Sequence, residues 1–447
     1  MSVQIEFSSE QEYALATMLS GKNVFLSGKA GSGKSSVIME FQKNCKRQLV
    51  CLAPTGMAAM NIGGETIHRF FNLPIAVFNP NNIYFNISAK QAEILQSVEV
   101  ILIDEVSMLR SDVFMMMDSI LRLTNNCDSP FGGKQLIVVG DFCQLPPVVT
   151  DWKIKEFLDI AFGGIYAFNC LGWEWAQFES IFLNTVYRQS DPVYLNIVNA
   201  VRSGKKSDED YLSILNKICL RPNRNPHAIN LCCTRKSAAM INEIALNKLP
   251  DIGIICHAIC IGDFPEESRP VSTTLIIKRN AKVMLLANKD GDYVNGDTGT
   301  VIDYTDGENP QVNVRLTNGK SVTISRSVWK NYEYVLEIDC NGKKQIVQKE
   351  TGTYIQLPLA SGYGITIHKS QGKTLEAAHI VLGTHGCFVP GQLYTALSRC
   401  RNLNELTIDR PVSEADIIVD EQVQDFYSKI SRLCILDIEC ELEFDHS

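Results

Sequence analysis

Several absences bound this 447-residue chain before any motif is read. No apolar run approaches the ~18 residues needed to cross a bilayer, and Met1–Glu6 carries neither the basic nor the apolar region of a secretory leader. A cytosolic or nuclear protein that works without a membrane is expected. Among 15 cysteines there is no C-x-x-C pair; most sit in apolar runs such as Leu49-Val50-Cys51-Leu52 and read as reduced core residues. Cys256-His257…Cys260 is the nearest approach to a metal cluster, but it lacks a second half, which argues against zinc. A basic excess is lacking too, since 42 Lys and Arg face 50 Asp and Glu for a net charge of −8. That counts weakly against a nucleic-acid partner without excluding one, because phosphate contacts depend on local groups. No low-complexity tract or internal repeat is evident.

What is present is a globular composition, 45% hydrophobic and 21% charged, with material for two to four domains. Gly28-Lys29-Ala30-Gly31-Ser32-Gly33-Lys34-Ser35 fits G-x-x-x-x-G-K-S between an apolar strand, Val24–Leu26, and a helix. Small residues let the backbone wrap a phosphate chain, Lys34 reaches the β/γ-phosphates and Ser35 ligates Mg²⁺, so ATP binding is expected. The buried-strand run Val98–Ile103 ends in Asp104-Glu105. Two acids at the carboxyl edge of a parallel sheet suit one that holds Mg²⁺, Asp104, and one that polarises water, Glu105. The pair points to hydrolysis and not to binding alone.

Strand runs at Val24–Leu26, Leu49–Ala53, Val100–Ile103, Leu136–Val139 and Ser180–Asn184 alternate with helical stretches. A second such set includes Ala228–Cys233, a helix-like Arg235–Lys248, Gly364–Ile367 and His379–Leu382. The alternation predicts an α/β protein with two parallel-sheet lobes. Two stretches interrupt them. Residues 72–96, with Pro74 and Pro80, suit a hairpin or loop standing off the first lobe. Residues 288–354, with Asn-Gly turns at Asn295, Asn318 and Asn341, suit a small antiparallel barrel. Alternation of acids with Ile438, Cys440, Leu442 and Phe444 suggests a terminal strand with an acidic face or a frayed acidic tail.

Beyond the acidic pair, Gln144 in Gly140-Asp141-Phe142-Cys143-Gln144-Leu145-Pro146-Pro147 stands where it can sense a γ-phosphate. Arg188 in Tyr187-Arg188-Gln189 and Arg399 in Ala396-Leu397-Ser398-Arg399 are candidates for the cation that stabilises phosphoryl transfer, with a surface ion pair as the plain alternative for each.

The succession GKAGSGKS, APTGMAAMNIGGETIHRF, ILIDEVSML, PFGGKQLIVVGDFCQLPPV, VYRQSD, YVNGDTGTV, GITIHKSQGKTLE and LYTALSRCRN resembles the motif series of superfamily-one DNA helicases of the Pif-one family, relatives of RecD. The resemblance runs from Gln11 to about Ile408. It implies RecA-like lobes at 1–71 with 97–185 and at 186–287 with 355–432, a wedge insertion at 72–96 and a Src-homology-like barrel at 288–354, which leaves the acidic segment at 433–447 outside it. It implies that Gln11 reads adenine, that Gly28, Ala30, Gly31, Ser32, Gly33, Lys34, Ser35, Asp104, Glu105 and Gln144 form the phosphate and magnesium set, that Arg188 and Arg399 are arginine fingers, and that Gly372 and Glu376 line phosphate and sugar. Thr55, Gly56, Thr66, His68, His368 and Lys369 match strand-contacting positions, and Phe70 offers a face for base stacking. The activity implied is ATP-driven 5′-to-3′ movement on single-stranded DNA with opening of forked or tailed duplex, by a monomer, in replication, repair or recombination, with telomere maintenance as a further role. The long amino-terminal extension of eukaryotic members has no counterpart here. An RNA helicase, or a phosphate-loop ATPase switch indifferent to DNA, is the alternative.

Overall fold

The computed structural model describes residues 7–73, 77–79, 85, 87–205, 209–221, 225–289, 291–338 and 344–431. Over these, the chain divides into two compact units. One comprises Met1–Tyr187, Glu333–Lys349 and Val419–Ser447; the other comprises Arg188–Tyr332 and Glu350–Ile418. The terminal strand or tail expected around Ile438–Phe444 lies outside the described residues.

In the first unit β1 (Val24–Gly28), β2 (Leu49–Ala53), β3 (Glu65–Thr66), β4 (Val100–Ile103), β5 (Gln135–Gly140) and β6 (Glu179–Leu183) form one sheet ordered β3-β2-β4-β5-β1-β6, with every pairing parallel. The strands read as unbroken apolar runs because both faces are covered. Val24, Leu26, Leu102 and Val139 enter one buried cluster, while Phe25, Ile101, Ile103 and Val138 enter another on the opposite face.

The second cluster also explains which distant segments join this unit. Phe426, in the helical residues 421–431, stacks on Phe168 with ring centroids 4.3 Å apart and packs on Phe25. Residues 419–431 therefore belong here, and not to the second lobe in which the sequence placed them. The described part of residues 72–96 likewise does not stand off. Phe78 is buried in this core, its N–H donates to Asp112 Oδ2 (3.1 Å), and Ile94 and Leu95 on the helix Ala89–Ser97 are buried beside it.

The second unit holds β7 (Ile229–Cys232), β8 (Ile254–His257), β9 (Ile259–Gly262), β10 (Thr274–Ile277), β11 (Lys282–Leu285), β12 (Thr298–Thr305), β13 (Gln311–Leu316), β14 (Ser321–Ile324), β15 (Ser327–Ile338), β16 (Lys344–Gln356), β17 (Leu359–Ser361), β18 (Gly364–Thr366), β19 (Ala378–Val381) and β20 (Leu406–Ile408), apart from the ends of β15 and β16 nearest their turn. Four of these make a parallel sheet ordered β18-β7-β19-β20. Inserted between its strands is an antiparallel sheet ordered β14-β13-β12-β11-β17. It starts at Lys282 and closes at Ser361, wider than the expected 288–354, because Val283 and Leu285 enter the same buried cluster as Val312, Val314 and Leu359. The strands β15 and β16 are not part of it. They pair with each other, and β16 with β9, while their distal residues belong to the first unit, where Tyr334 is buried and Cys51 N–H donates to its hydroxyl (3.0 Å).

Candidate functional site

The phosphate loop links β1 to the helix Lys34–Asn44, and its backbone is left-handed at Gly31 and Gly33, both at φ +84°. The second of these caps the helix without any side-chain hydrogen bond, which leaves the first turn facing the loop. A Cβ on Gly28 would lie 2.7 Å from both Ser32 Oγ and Leu183 O, and one on Gly33 would lie 2.4 Å from Gln11 Nε2, so glycine is obligatory at both. Gln11 is itself fixed, because Oε1 accepts from Ser8 N (3.0 Å) and from Tyr187 Oη (3.4 Å). Lys34 Nζ folds back and donates to Gly28 O (2.7 Å) and Lys29 O (3.1 Å). Ala30 is buried, Ser35 lies exposed beside Lys34, and Ser32 Oγ is buried with no partner.

At the end of β4, Asp104 Oδ1 accepts from Glu105 N (2.8 Å). Withdrawal from water pushes its carboxyl up to about 7; the charge of Glu105 adds to the rise and that of Lys34 opposes it. Glu105 is a non-glycine residue at φ +52°, a strained conformation at the residue that follows Asp104. Gln144 is buried one turn after Asp141, with Gln144 N donating to Asp141 O (2.9 Å).

The loop and the acids fit a nucleoside triphosphate with Mg²⁺. A buried unpartnered hydroxyl, glycine cradles that a Cβ would fill and a desolvated carboxyl at which a cation would offset the burial cost are the features that group requires.

The second unit brings the two arginine motifs together. Arg188 Nη1 donates to Ser398 O (3.0 Å), while Gln189 Nε2 donates to Ser398 O (3.2 Å) and Cys400 O (2.8 Å). Burial lowers Arg188 below its ordinary value. Arg399 is only 1% exposed and donates to Thr395 O (2.8 Å), Ser370 O (3.2 Å) and Ser398 Oγ (2.6 Å). It is therefore no surface ion-pair residue; it ties its own helix to the segment containing Gly372, where φ is +76°. Gly372 and Glu376 are exposed.

Of the strand-contacting candidates in the first unit, Thr55 caps the helix Gly56–Asn61 by accepting from Ala58 N (3.3 Å), and Gly56 is buried in that helix. Thr66 caps the next turn with no side-chain bond, and His68 is exposed. Phe70 is a correction. It is 3% exposed and packs edge-on against Phe71 and Tyr334, so it has no free face on which a base could stack. In the second unit His368 and Lys369 form the turn after β18, with Lys369 exposed and its N–H donating to Thr366 Oγ1 (3.2 Å).

The sequence pattern of the PIF1-like helicase family matches residues 6–211. The ATP-dependent DNA helicase Pif1 of Bdellovibrio bacteriovorus is 32% identical, over 96% of this chain and 93% of that protein. The chain belongs to the PIF1-like helicase family. Among solved structures, Bacteroides Pif1 in complex with ADP-AlF4 is 31% identical with a TM-score of 0.87, covering 96% of this chain and 98% of that one. The Bacteroides helicase with ADP-AlF3 and single-stranded DNA is 32% identical with a TM-score of 0.69, over the same shares of the two chains.

Two features of this PIF1-like chain escape a reading of the sequence. Tyr427, far along the chain from the phosphate loop, hydrogen-bonds Ser27 Oγ (2.9 Å) just before that loop, accepts from Phe142 N (3.0 Å) and donates to Asp141 Oδ1 (3.3 Å). It joins the phosphate-loop strand to the Gln144 segment, and no local pattern marks it. The second feature did leave a signal. Thr66-Ile67-His68-Arg69 returns as Thr366-Ile367-His368-Lys369, and Thr55-x-x-Ala58-Ala59 as Thr234-x-x-Ser237-Ala238. The structure places both copies in the same strand register. Thr66 pairs with Ala53, two residues before the capping Thr55; Thr366 pairs with Cys232, two residues before Thr234, which caps its helix by accepting from Ser237 N (3.1 Å). The chain does contain an internal repeat, split in its second copy by the inserted strands.

Proposed function

We propose that this chain is an ATP-driven helicase that moves 5′ to 3′ along single-stranded DNA and opens tailed or forked duplex. The observation that carries the reading is the pairing of a phosphate loop holding an orphaned buried hydroxyl after β1 with a desolvated Asp104, followed by Glu105, at the end of β4 in the same sheet, in a chain with the whole motif series of its family. Ser35 and Asp104 would hold Mg²⁺, which when bound neutralises phosphate charge. Lys34 leaves its two loop carbonyls for the β/γ-phosphates, Glu105 orients and polarises water, and Gln144, backed through Asp141 by Tyr427, senses the γ-phosphate. Arg188 and Arg399 supply cations to the transferring phosphoryl group, the second after its internal bonds are exchanged. Thr55, Thr66, His68, His368 and Lys369 follow a phosphate backbone without reading bases, which supports DNA of any sequence as the track. The direction of travel follows the resemblance of the motif series.

The test is ATP hydrolysis with single-stranded DNA, with single-stranded RNA and with no polymer, followed by unwinding of duplexes carrying a 5′ or a 3′ single-stranded tail. Stimulation by DNA and opening of only the 5′-tailed duplex are expected. Equal or greater stimulation by RNA, hydrolysis indifferent to either polymer, or opening of the 3′-tailed duplex would each overturn the corresponding part of the proposal.

A further inference from the structure

The two copies of the repeat share a register but not a charge. In the first unit the positions after the capping threonine are Gly56 and Met57, and the one cation of its Thr-Ile-His motif, Arg69, is paired with Glu65 at 3.1 Å. In the second unit the equivalent positions are Arg235 and Lys236, both exposed in the first turn of the helix Arg235–Asn247, where no acid accompanies them. The residue equivalent to Glu65 is Ile365, so Lys369 has no counterpart of the carboxyl group that faces Arg69. Among the described residues Arg235, Lys236 and Lys369 make no ion pair. Two cations in the first turn of a helix oppose its dipole and so cost stability where nothing offsets them. They are also near enough to the second motif for the charge of Arg235 to be felt at His368. Like charge gathered without a counter-charge, at the positions where the other copy is neutral, is the arrangement expected of a surface that receives a polyanion.

We infer that the second unit grips the phosphates of a nucleic-acid strand through Arg235, Lys236 and Lys369, whereas the first unit grips through uncharged hydroxyl and amide groups around Thr55 and Thr66. This rests on the proposed single-strand track and adds two contact residues, Arg235 and Lys236, with a division of labour between the repeats. The salt-dependent share of affinity belongs to the second copy. The first copy contributes contacts that salt leaves nearly unchanged.

The experiment measures binding of a fluorescein-labelled oligo-dT over a tenfold range of salt, without nucleotide. Each phosphate-neutralising cation contributes about 0.7 to the slope of log affinity against log salt on a single strand. Arg235→Gln with Lys236→Gln is expected to flatten that slope by about 1.4, losing about 25-fold less affinity across the range than the wild type. The charge-preserving Arg235→Lys with Lys236→Arg keeps the wild-type slope. Thr66→Val weakens binding at every salt concentration with the slope unchanged, and Met57→Lys, which gives the first copy the second copy's cation, steepens it by about 0.7. A wild-type slope in the double Gln variant, or a flattened one in Thr66→Val, overturns the inference while leaving the DNA track intact. Failure of the wild type to bind oligo-dT at any salt overturns both.

Discussion

The two units solve one folding problem and hold opposite charges. In the first, the charged side chains withdrawn from water are chiefly acids: Glu65, Asp112, Asp118 and Asp141 are buried, and Asp104 is desolvated at the end of β4. In the second, the deepest charged side chain is Arg399, and Arg188 and Lys373 are also desolvated, the latter pushed down to about 8 by burial and by the charge of Lys369, while the buried acid Asp416 is matched by Arg410 at 2.7 Å. Parallel-sheet architecture fixes where strand ends converge but not which charge stands there. One copy of the plan has become an acidic pole, the other chiefly a cationic one.

The largest expected effect breaks the first pole. Lys34→Ala and Glu105→Gln should each lower hydrolysis by about 10³-fold or more, yet only Glu105→Gln should keep tight ATP binding, because Lys34 neutralises phosphate charge in the ground state and Glu105 acts on water. Turnover and nucleotide affinity, measured separately, check it; near-normal hydrolysis by Glu105→Gln removes that residue from its role.

In the second pole Arg188→Ala and Arg399→Ala should both reduce DNA-stimulated turnover by about 10³-fold. They should differ in stability. Loss of Arg399 removes donated bonds inside the unit, to Thr395 O, Ser370 O and Ser398 Oγ, together with a fully buried side chain, and is expected to cost about 2–4 kcal/mol, whereas Arg188→Ala removes one bond to Ser398 O and should cost about 1 kcal/mol. Thermal denaturation distinguishes them. Equal melting temperatures would mean that Arg399 is not the tie its geometry describes.

Acidity buried in the first unit should appear as a pH dependence. Burial raises Glu65 to about 7 against an ordinary value of 4.5, with Arg69 opposing the rise. The folded state thus binds more protons than the unfolded one between those values, and stability falls as pH rises through that window. Relative to Glu65→Gln, the wild type should lose on the order of 2 kcal/mol between pH 5 and pH 8. Parallel melting curves for the two proteins across that range would remove burial as the cause.

A smaller effect is expected for Phe70→Leu, which should cost about 1–2 kcal/mol of stability and leave single-strand affinity unaltered, because the ring faces Phe71 and Tyr334. A loss of oligo-dT affinity comparable to one stacked base, about 1–3 kcal/mol, would restore the stacking role.

Much of the phosphate site was legible because its parts are contiguous. A loop that wraps a phosphate needs its glycines in a row, and a buried parallel strand announces itself as an apolar run ending in the residues it presents, as Val100–Ile103 does before Asp104. The arginines could be proposed from their motifs, but not their burial, since that depends on carbonyls such as Ser370 O that a different segment supplies. Phe70 shows the converse, because an aromatic residue near polar neighbours looks the same in sequence whether its ring faces solvent or Tyr334. The repeat lay in plain view as two Thr-Ile-His stretches, and its second copy was obscured because the inserted strands separate Thr234 from Thr366.

The sequence by itself therefore determined the alternation of strands and helices, the phosphate loop with its acidic partner, and the family, because each is written in residues adjacent along the chain. Only the tertiary structure decided that Tyr427 backs the phosphate-loop strand, that the distal ends of β15 and β16 join the first unit, and that the two repeats share a register with unequal charge. Those outcomes depend on which surfaces the chain buries against one another, and burial is a property of packed neighbours that no local pattern encodes.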